Sequence, residues 1–129
     1  MLQVLRETEE VTRDGNKMCL NLALSYSARD EIVRAVNLLL KSKERGEFRD
    51  DYISVERFSE YLDTAGMPDP DLVIRTAGEM RMSNFLLWQA SYAEFWVTPK
   101  CWPDFRPADL HEALRDYAAR ERRFGGLSR

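Results

Sequence analysis

Arg75, Arg81 and Ser83 fall close together at the end of a short apolar run, a pattern suited to holding a multiply charged anion. Guanidinium groups bind phosphate oxygens in a bidentate fork, and a hydroxyl adds a further donor. The run Leu72-Val73-Ile74 reads as a strand buried in a parallel sheet. Arg75 would then emerge at the carboxyl end of that strand, where open α/β sheets place their ligands. Arg81 and Ser83 would precede a helix over residues 85–88, capped by Ser83 or Asn84, whose first turn adds unpaired N–H groups. The same arginines could instead pair with Glu79 or Asp71 in a solvated loop. The residues alone leave both readings open.

Other side chains carry weaker signals. Glu94 lies between Tyr92-Ala93 and Phe95-Trp96, and a carboxylate in such surroundings needs a partner. A Mg²⁺ ion shared with phosphate oxygens would satisfy it, as would an arginine. Arg122, Arg123, Gly125 and Gly126 read as ordinary chemistry for ending a helix, with cations and then glycine. His111 has no nucleophile or acid at a suggestive spacing and reads as a surface residue. Trp88, Trp96 and Trp102 read as core, because no basic groove interleaves them.

The chain has 129 residues, 44% hydrophobic and 32% charged, which suits one globular domain with a real core. No apolar run is long enough to span a membrane, and no signal-peptide core opens the chain. The net charge of −3 argues against a general nucleic-acid binder. Cys19 and Cys101 stand far apart, as in a reduced, cytosolic protein without a zinc site. Only Lys17, Lys41, Lys43 and Lys100 are lysines among 19 basic residues, so arginine dominates.

The elements that must position these side chains follow from periodicity. Residues 2–12 read as the end of a helix, followed by a turn at Arg13-Asp14-Gly15-Asn16. Residues 18–24 alternate Met18, Leu20, Leu22 and Leu24 with smaller or polar residues, a strand signal. Ser27 caps a helix whose stripe is Ile32, Val33, Val36, Leu39 and Leu40 and which stops at Gly46. Ser54 caps a shorter helix with Phe58, Tyr61 and Leu62 inward. Glu94 to Thr98 returns to strand and Trp102-Pro103-Asp104-Phe105 turns the chain. The last helix opens with Pro107 and Asp109 and carries Leu110, Ala113, Leu114, Tyr117 and Ala118. The order implies an α/β fold, a mostly parallel sheet flanked by helices. Three strands make a thin sheet with exposed edges, so either the chain dimerises through an edge or the sheet belongs to a larger domain.

Taken together, several segments resemble the carboxyl-terminal signature of cis-prenyltransferases. They are Pro68-Asp69-Pro70-Asp71-Leu72-Val73-Ile74-Arg75-Thr76, Gly78-Glu79, Arg81, and Ser83-Asn84-Phe85-Leu86-Leu87-Trp88-Gln89. Tyr92-Ala93-Glu94, Trp102-Pro103-Asp104-Phe105 and Arg120-Glu121-Arg122-Arg123-Phe124-Gly125-Gly126 continue it in order. Upstream, Leu20-Asn21-Leu22-Ala23, Tyr26 and Arg29-Asp30-Glu31-Ile32 fit as well. The resemblance makes residues 1–129 a single partial domain, the carboxyl-terminal part of a cis-prenyltransferase fold.

That family, which includes the undecaprenyl diphosphate synthases, condenses isopentenyl diphosphate onto an allylic diphosphate such as farnesyl diphosphate, with Mg²⁺. The resemblance implies that Arg75, Arg81 and Ser83 hold isopentenyl diphosphate and that Glu94 helps to coordinate Mg²⁺. It implies that Arg122, Arg123, Gly125 and Gly126 lie near a homodimer interface and approach the same pocket. It also implies a cytoplasmic enzyme, peripheral to the membrane that receives its product, without a nucleic-acid partner. Family members carry an amino-terminal half with an Asp-Gly-Asn segment tied to the metal and the allylic substrate. Asp14-Gly15-Asn16 here precedes the strand at residues 18–24 and lacks the Arg-Trp that follows in the family. Ala77 stands where the family commonly has a second glycine. The chain alone is therefore expected to be inactive, with a non-catalytic diphosphate- or partner-binding subunit as the alternative.

Overall fold

A computed structural model describes residues 2–49 and 51–121. The first helix, α1 (Leu2–Thr12), ends in the expected turn, where the Gly15 N–H donates to the Thr12 carbonyl at 2.9 Å. Helix α2 (Ala28–Glu44) begins at Ser27, whose Oγ accepts the Asp30 N–H at 3.3 Å. Asp30 and Glu31 in its first turn and Lys41 and Lys43 in its last complement the helix dipole. Gly46 then adopts φ +73°, the left-handed conformation that glycine takes without steric cost after a helix. The short α3 (Val55–Ser59) is capped by Ser54, as its sequence predicts.

The buried face of α2 differs from the expected stripe. Ala28, Glu31, Ala35, Leu39 and Ser42 face inward, while Val33, Val36 and Leu40 are exposed. Counting large apolar residues gives the wrong face. The inward one is built on small alanines, which permit close approach, and on a carboxylate whose partners lie far away in sequence.

The sheet contains β1 (Leu72–Arg75) and β2 (Glu94–Val97), parallel, with Leu72 opposite Glu94 and Arg75 opposite Val97. All eight residues are half-buried, so β1 is not the doubly covered strand its sequence suggested. The third strand expected at residues 18–24 does not form among the described residues. Strand conformation is held by a ladder to a neighbour, and this segment has none.

After β2, a short 3₁₀ turn at Trp102–Asp104 leads into α4 (Pro107–Ala119). Asp109 accepts the Arg106 N–H at 2.8 Å and the Lys100 ammonium at 2.5 Å. These two bonds, Lys100 first, hold the Asp109 carboxyl below the usual carboxylate range. Asp109 and Ala113 are the buried positions of α4, while Leu110, Leu114 and Ala118 of the expected stripe are exposed. No helix among the described residues is long and apolar enough to cross a membrane.

Candidate anion-binding site

The carboxyl end of β1 gathers three of the side chains that the sequence singles out. Arg75 Nη2 donates to Glu79 Oε2 and, at 3.3 Å, to Ser83 Oγ. Arg81 Nη2 donates to Glu79 Oε1. Each oxygen of one carboxylate thus holds one guanidinium, and two positive charges face a single negative one. The pairing with Glu79 and the gathering of the arginines are therefore the same arrangement. Arg75's hydrogen bond and Arg81's charge, against an opposing contribution from partial burial, hold the Glu79 carboxyl below its ordinary range. Beside this cluster lies a cleft of about 260 Å³. Arg75 and Arg81 form its polar side, and Val73, Ile74, Met82, Phe85 and Phe95 form its apolar side.

The backbone contributes less than expected. Ala77 and Gly78 adopt φ +60° and +67°, and their N–H groups donate to the carbonyls of Lys100 and Thr98, both at 2.8 Å. Those donors are occupied in fastening the loop to the end of β2. The non-glycine at position 77 carries the steric cost of left-handed backbone, about 1 kcal/mol. No helix forms over residues 85–88, so no helix N-terminus faces the arginines. Ser83, Asn84 and Leu86 have φ of +50°, +62° and +45°, outside the helical region. Asn84 caps a helix, but that helix is α2. Its Oδ1 accepts the Arg29 N–H at 3.0 Å, its carbonyl accepts the Ala28 N–H, and its Nδ2 donates to Ser27. A candidate anion site here therefore rests on side chains alone.

Glu94 is not brought to this cluster. It opens β2 opposite Leu72, three residues from the position opposite Arg75, a separation of about 10 Å along the strands. Its Oε2 accepts from Arg120 Nη1 at 2.7 Å, and Arg120 also bonds Asp116 at 2.6 Å. A cation site needs several oxygens without a competing positive charge. Glu94 offers a carboxylate already engaged by a guanidinium, and no group of three potential ligands surrounds it among the described residues. These residues by themselves do not fit a Mg²⁺ site. Glu94→Gln is expected to lower stability by about 0.5–1 kcal/mol, because the pair is partly exposed. Urea titration reads that loss, and the pyrophosphate affinity of the variant, measured with and without Mg²⁺, is expected to match wild type. An affinity loss that appears only with Mg²⁺ would return Glu94 to the site.

Arg122, Arg123, Gly125 and Gly126 lie outside the described residues. His111 is exposed, as read. Trp88 packs tilted against Phe58, with ring centroids 4.5 Å apart, and donates to Ser59 Oγ at 3.2 Å, tying α3 to the turn after the arginine cluster. Trp96 packs edge-on against Phe105, while Trp102 stacks on the same ring and is largely exposed. Sequence reasoning missed the anchoring of the loop by Thr98 and Lys100. Its trace in the sequence is only the Thr-Pro-Lys that follows β2.

Residues 1–125 match the family model of undecaprenyl diphosphate synthase. The chain belongs to this family of cis-prenyltransferases. It is 54% identical over 124 residues to an isoprenyl transferase of Brucella abortus, covering 96% of this chain and 49% of that protein. An isoprenyl transferase of Bacillus cereus is 46% identical over 125 residues, with 97% and 48% covered. The structure is similar to that of lavandulyl diphosphate synthase from Lavandula x intermedia in complex with dimethylallyl diphosphate. The TM-score is 0.89 at 40% identity, over 97% of this chain and 54% of that one. The chain spans about half the length of the curated relatives it matches. Against that longer fold, the helices and the parallel strand pair described above form part of a cis-prenyltransferase domain.

Proposed function

We propose that this chain carries the isopentenyl diphosphate side of a cis-prenyl elongation site. One observation carries the reading: Arg75, Arg81 and Ser83 converge around Glu79 at the carboxyl end of a parallel strand, beside an apolar cleft. A diphosphate would displace the Glu79 carboxylate from one or both guanidinium groups and take the Ser83 hydroxyl as a further donor. The five-carbon alkenyl group would then lie against Val73, Ile74, Phe85 and Phe95. These residues bind and orient; the second substrate, an allylic diphosphate such as farnesyl diphosphate, has no counterpart of this cluster among the described residues. Mg²⁺ belongs to the proposal as a contribution of the complete fold, to which Glu94 adds at most one oxygen. Homodimerisation, a cytoplasmic location and delivery of the polyprenyl product to the membrane belong to the same reading and rest on the family.

Calorimetric titration of the chain with isopentenyl diphosphate tests it. Saturable binding, competed by inorganic pyrophosphate, is the expected result, and its absence would refute the assignment. Incubation with farnesyl diphosphate, labelled isopentenyl diphosphate and Mg²⁺ is expected to yield no butanol-extractable product, because the allylic side is not supplied. Clear elongation would refute the claim that this chain is inactive alone.

A further inference from the structure

Ala77 is held in an unfavourable backbone conformation by partners on another segment. Its φ of +60° is one that a residue with a Cβ disfavours, and Gly78 follows at +67°. Such a conformation persists where surrounding contacts over-determine it. Here those contacts come from the two residues that flank Pro99. The Lys100 carbonyl accepts the Ala77 N–H and the Thr98 carbonyl accepts the Gly78 N–H, while the Thr98 N–H donates to the Arg75 carbonyl at 2.9 Å. Arg75 and Glu79 therefore stand on either side of a turn fastened at two carbonyls. The position of those carbonyls sets how the Arg75 guanidinium meets the Glu79 carboxylate.

Thr98 is fixed by its place directly after β2 and by its burial. Lys100 lies further on, and its side chain supplies the anchor: Nζ donates to Asp109 Oδ1 at 2.5 Å. Asp109 is 4% exposed, and its other oxygen caps α4 through the Arg106 N–H. Arg106 in turn fastens the intervening turn by donating to the carbonyls of Pro103 and Phe105. A continuous chain of bonds thus runs from the first turn of α4 through Asp109 and Lys100 to Ala77. We propose that Lys100 and Asp109 are positioning residues for the arginine cluster: tied to α4, Lys100 holds its carbonyl against the Ala77 N–H and so fixes the spacing of Arg75 and Glu79 that a diphosphate must enter. Their effect on a ligand rests on the isopentenyl diphosphate reading, whereas their effect on the turn does not.

The test uses this chain with two substitutions, alone and together. Lys100→Met keeps the stem and removes the ammonium, while Asp109→Asn keeps an oxygen for the Arg106 N–H and removes the charge. Hydrogen exchange without ligand is expected to quicken about three- to tenfold at the Ala77 and Gly78 amides in each single variant. The double variant is expected to add nothing further, because both changes break the same bond. Affinity for isopentenyl diphosphate, measured by calorimetry where every variant is folded, is expected to fall by a similar factor. Arg34→Met breaks an ion pair with Asp63 and is expected to change neither quantity. Unchanged exchange at Ala77 and Gly78 overturns the proposal whether or not the chain binds a diphosphate. Faster exchange spread evenly through α4 overturns it too, since the pair would then only hold the helix. So do losses that add in the double variant, or quickened exchange with undiminished affinity. Absence of binding by the wild-type chain refutes the diphosphate reading instead, and exchange at the two amides then decides the proposal.

Discussion

Arg75→Ala is expected to weaken the proposed binding of isopentenyl diphosphate to the chain by about 100-fold, and Arg81→Ala by about tenfold. Hydrogen bonds to charged groups contribute about 1.5–3 kcal/mol each, and about 1.4 kcal/mol is a factor of ten. Arg75 belongs near the upper end because its side chain is 31% exposed, whereas Arg81 is 65% exposed and more strongly screened by water. Ser83→Ala costs about 1 kcal/mol, roughly fivefold, as a neutral hydroxyl makes a weaker bond. Glu79→Gln moves in the opposite direction and tightens binding severalfold, because it removes the carboxylate that competes with the ligand. If the arginines served only to pair Glu79, the same four variants would lower thermal midpoints and leave affinity unchanged. Measuring both quantities on each variant separates the two accounts. The pH dependence has a definite sign. The Glu79 carboxyl is held below its unfolded value, so the stability from its pairing is complete above the ordinary carboxylate range near pH 4.3. That stability is lost as pH falls through the lowered folded value. Near neutral pH Glu79 stays ionised, and any pH dependence of affinity there reports the ligand's own phosphate protons.

Local rules made much of this fold legible. Ser27 and Ser54 cap helices because a side-chain oxygen three residues before a backbone N–H needs no distant partner. Leu72-Val73-Ile74 and residues 94–97 read as strands from short runs of β-forming residues, and they pair in parallel as the α/β order requires. The errors share one cause. Asn84 carries a genuine capping signal, yet its partners, Ser27 and the N–H groups of Ala28 and Arg29, lie on α2, more than fifty residues away in sequence. Residues 18–24 carry a genuine strand pattern, but a strand is a property of two segments, and no described residue pairs with this one. At the candidate site, the closeness of Arg75, Arg81 and Ser83 at the end of β1 was legible. The sharing of one carboxylate by two guanidinium groups was anticipated only as a competing possibility, because sequence spacing cannot tell a resting counter-ion from a permanent partner.

Glu31→Ala is expected to cost about 3–5 kcal/mol, a large fraction of the stability of a chain this size. Glu31 is 1% exposed, and its sequence neighbours Asp30 and Ile32 give no hint that it would face inward. Its Oε1 accepts the Asp63 N–H at 2.8 Å and Gln89 Nε2 at 3.2 Å, while Oε2 accepts the Tyr26 hydroxyl and Gln89 Nε2. Gln89 Nε2 also donates to Thr64 Oγ1 at 3.1 Å. Burial, and after it the bond to Glu31, raises the Tyr26 hydroxyl above the usual phenol range, so it remains a donor at all working pH values. One carboxylate thus fastens α2 to the turn following α3 and to the segment that runs on from Ser83. Alanine would leave three donors without this acceptor, the buried Gln89 amide and the partly buried Tyr26 hydroxyl and Asp63 N–H, each at up to about 1–3 kcal/mol, with the two outer ones relieved by entering water. Glu31→Gln should cost far less. Gln89 Oε1 is buried without a hydrogen-bond partner, so rotating the Gln89 amide would present that oxygen to the new side-chain NH₂. Urea unfolding of both variants checks the ordering. A loss below about 1 kcal/mol for Glu31→Ala, or equal losses for the two substitutions, would mean that the carboxylate is not what holds these three segments together.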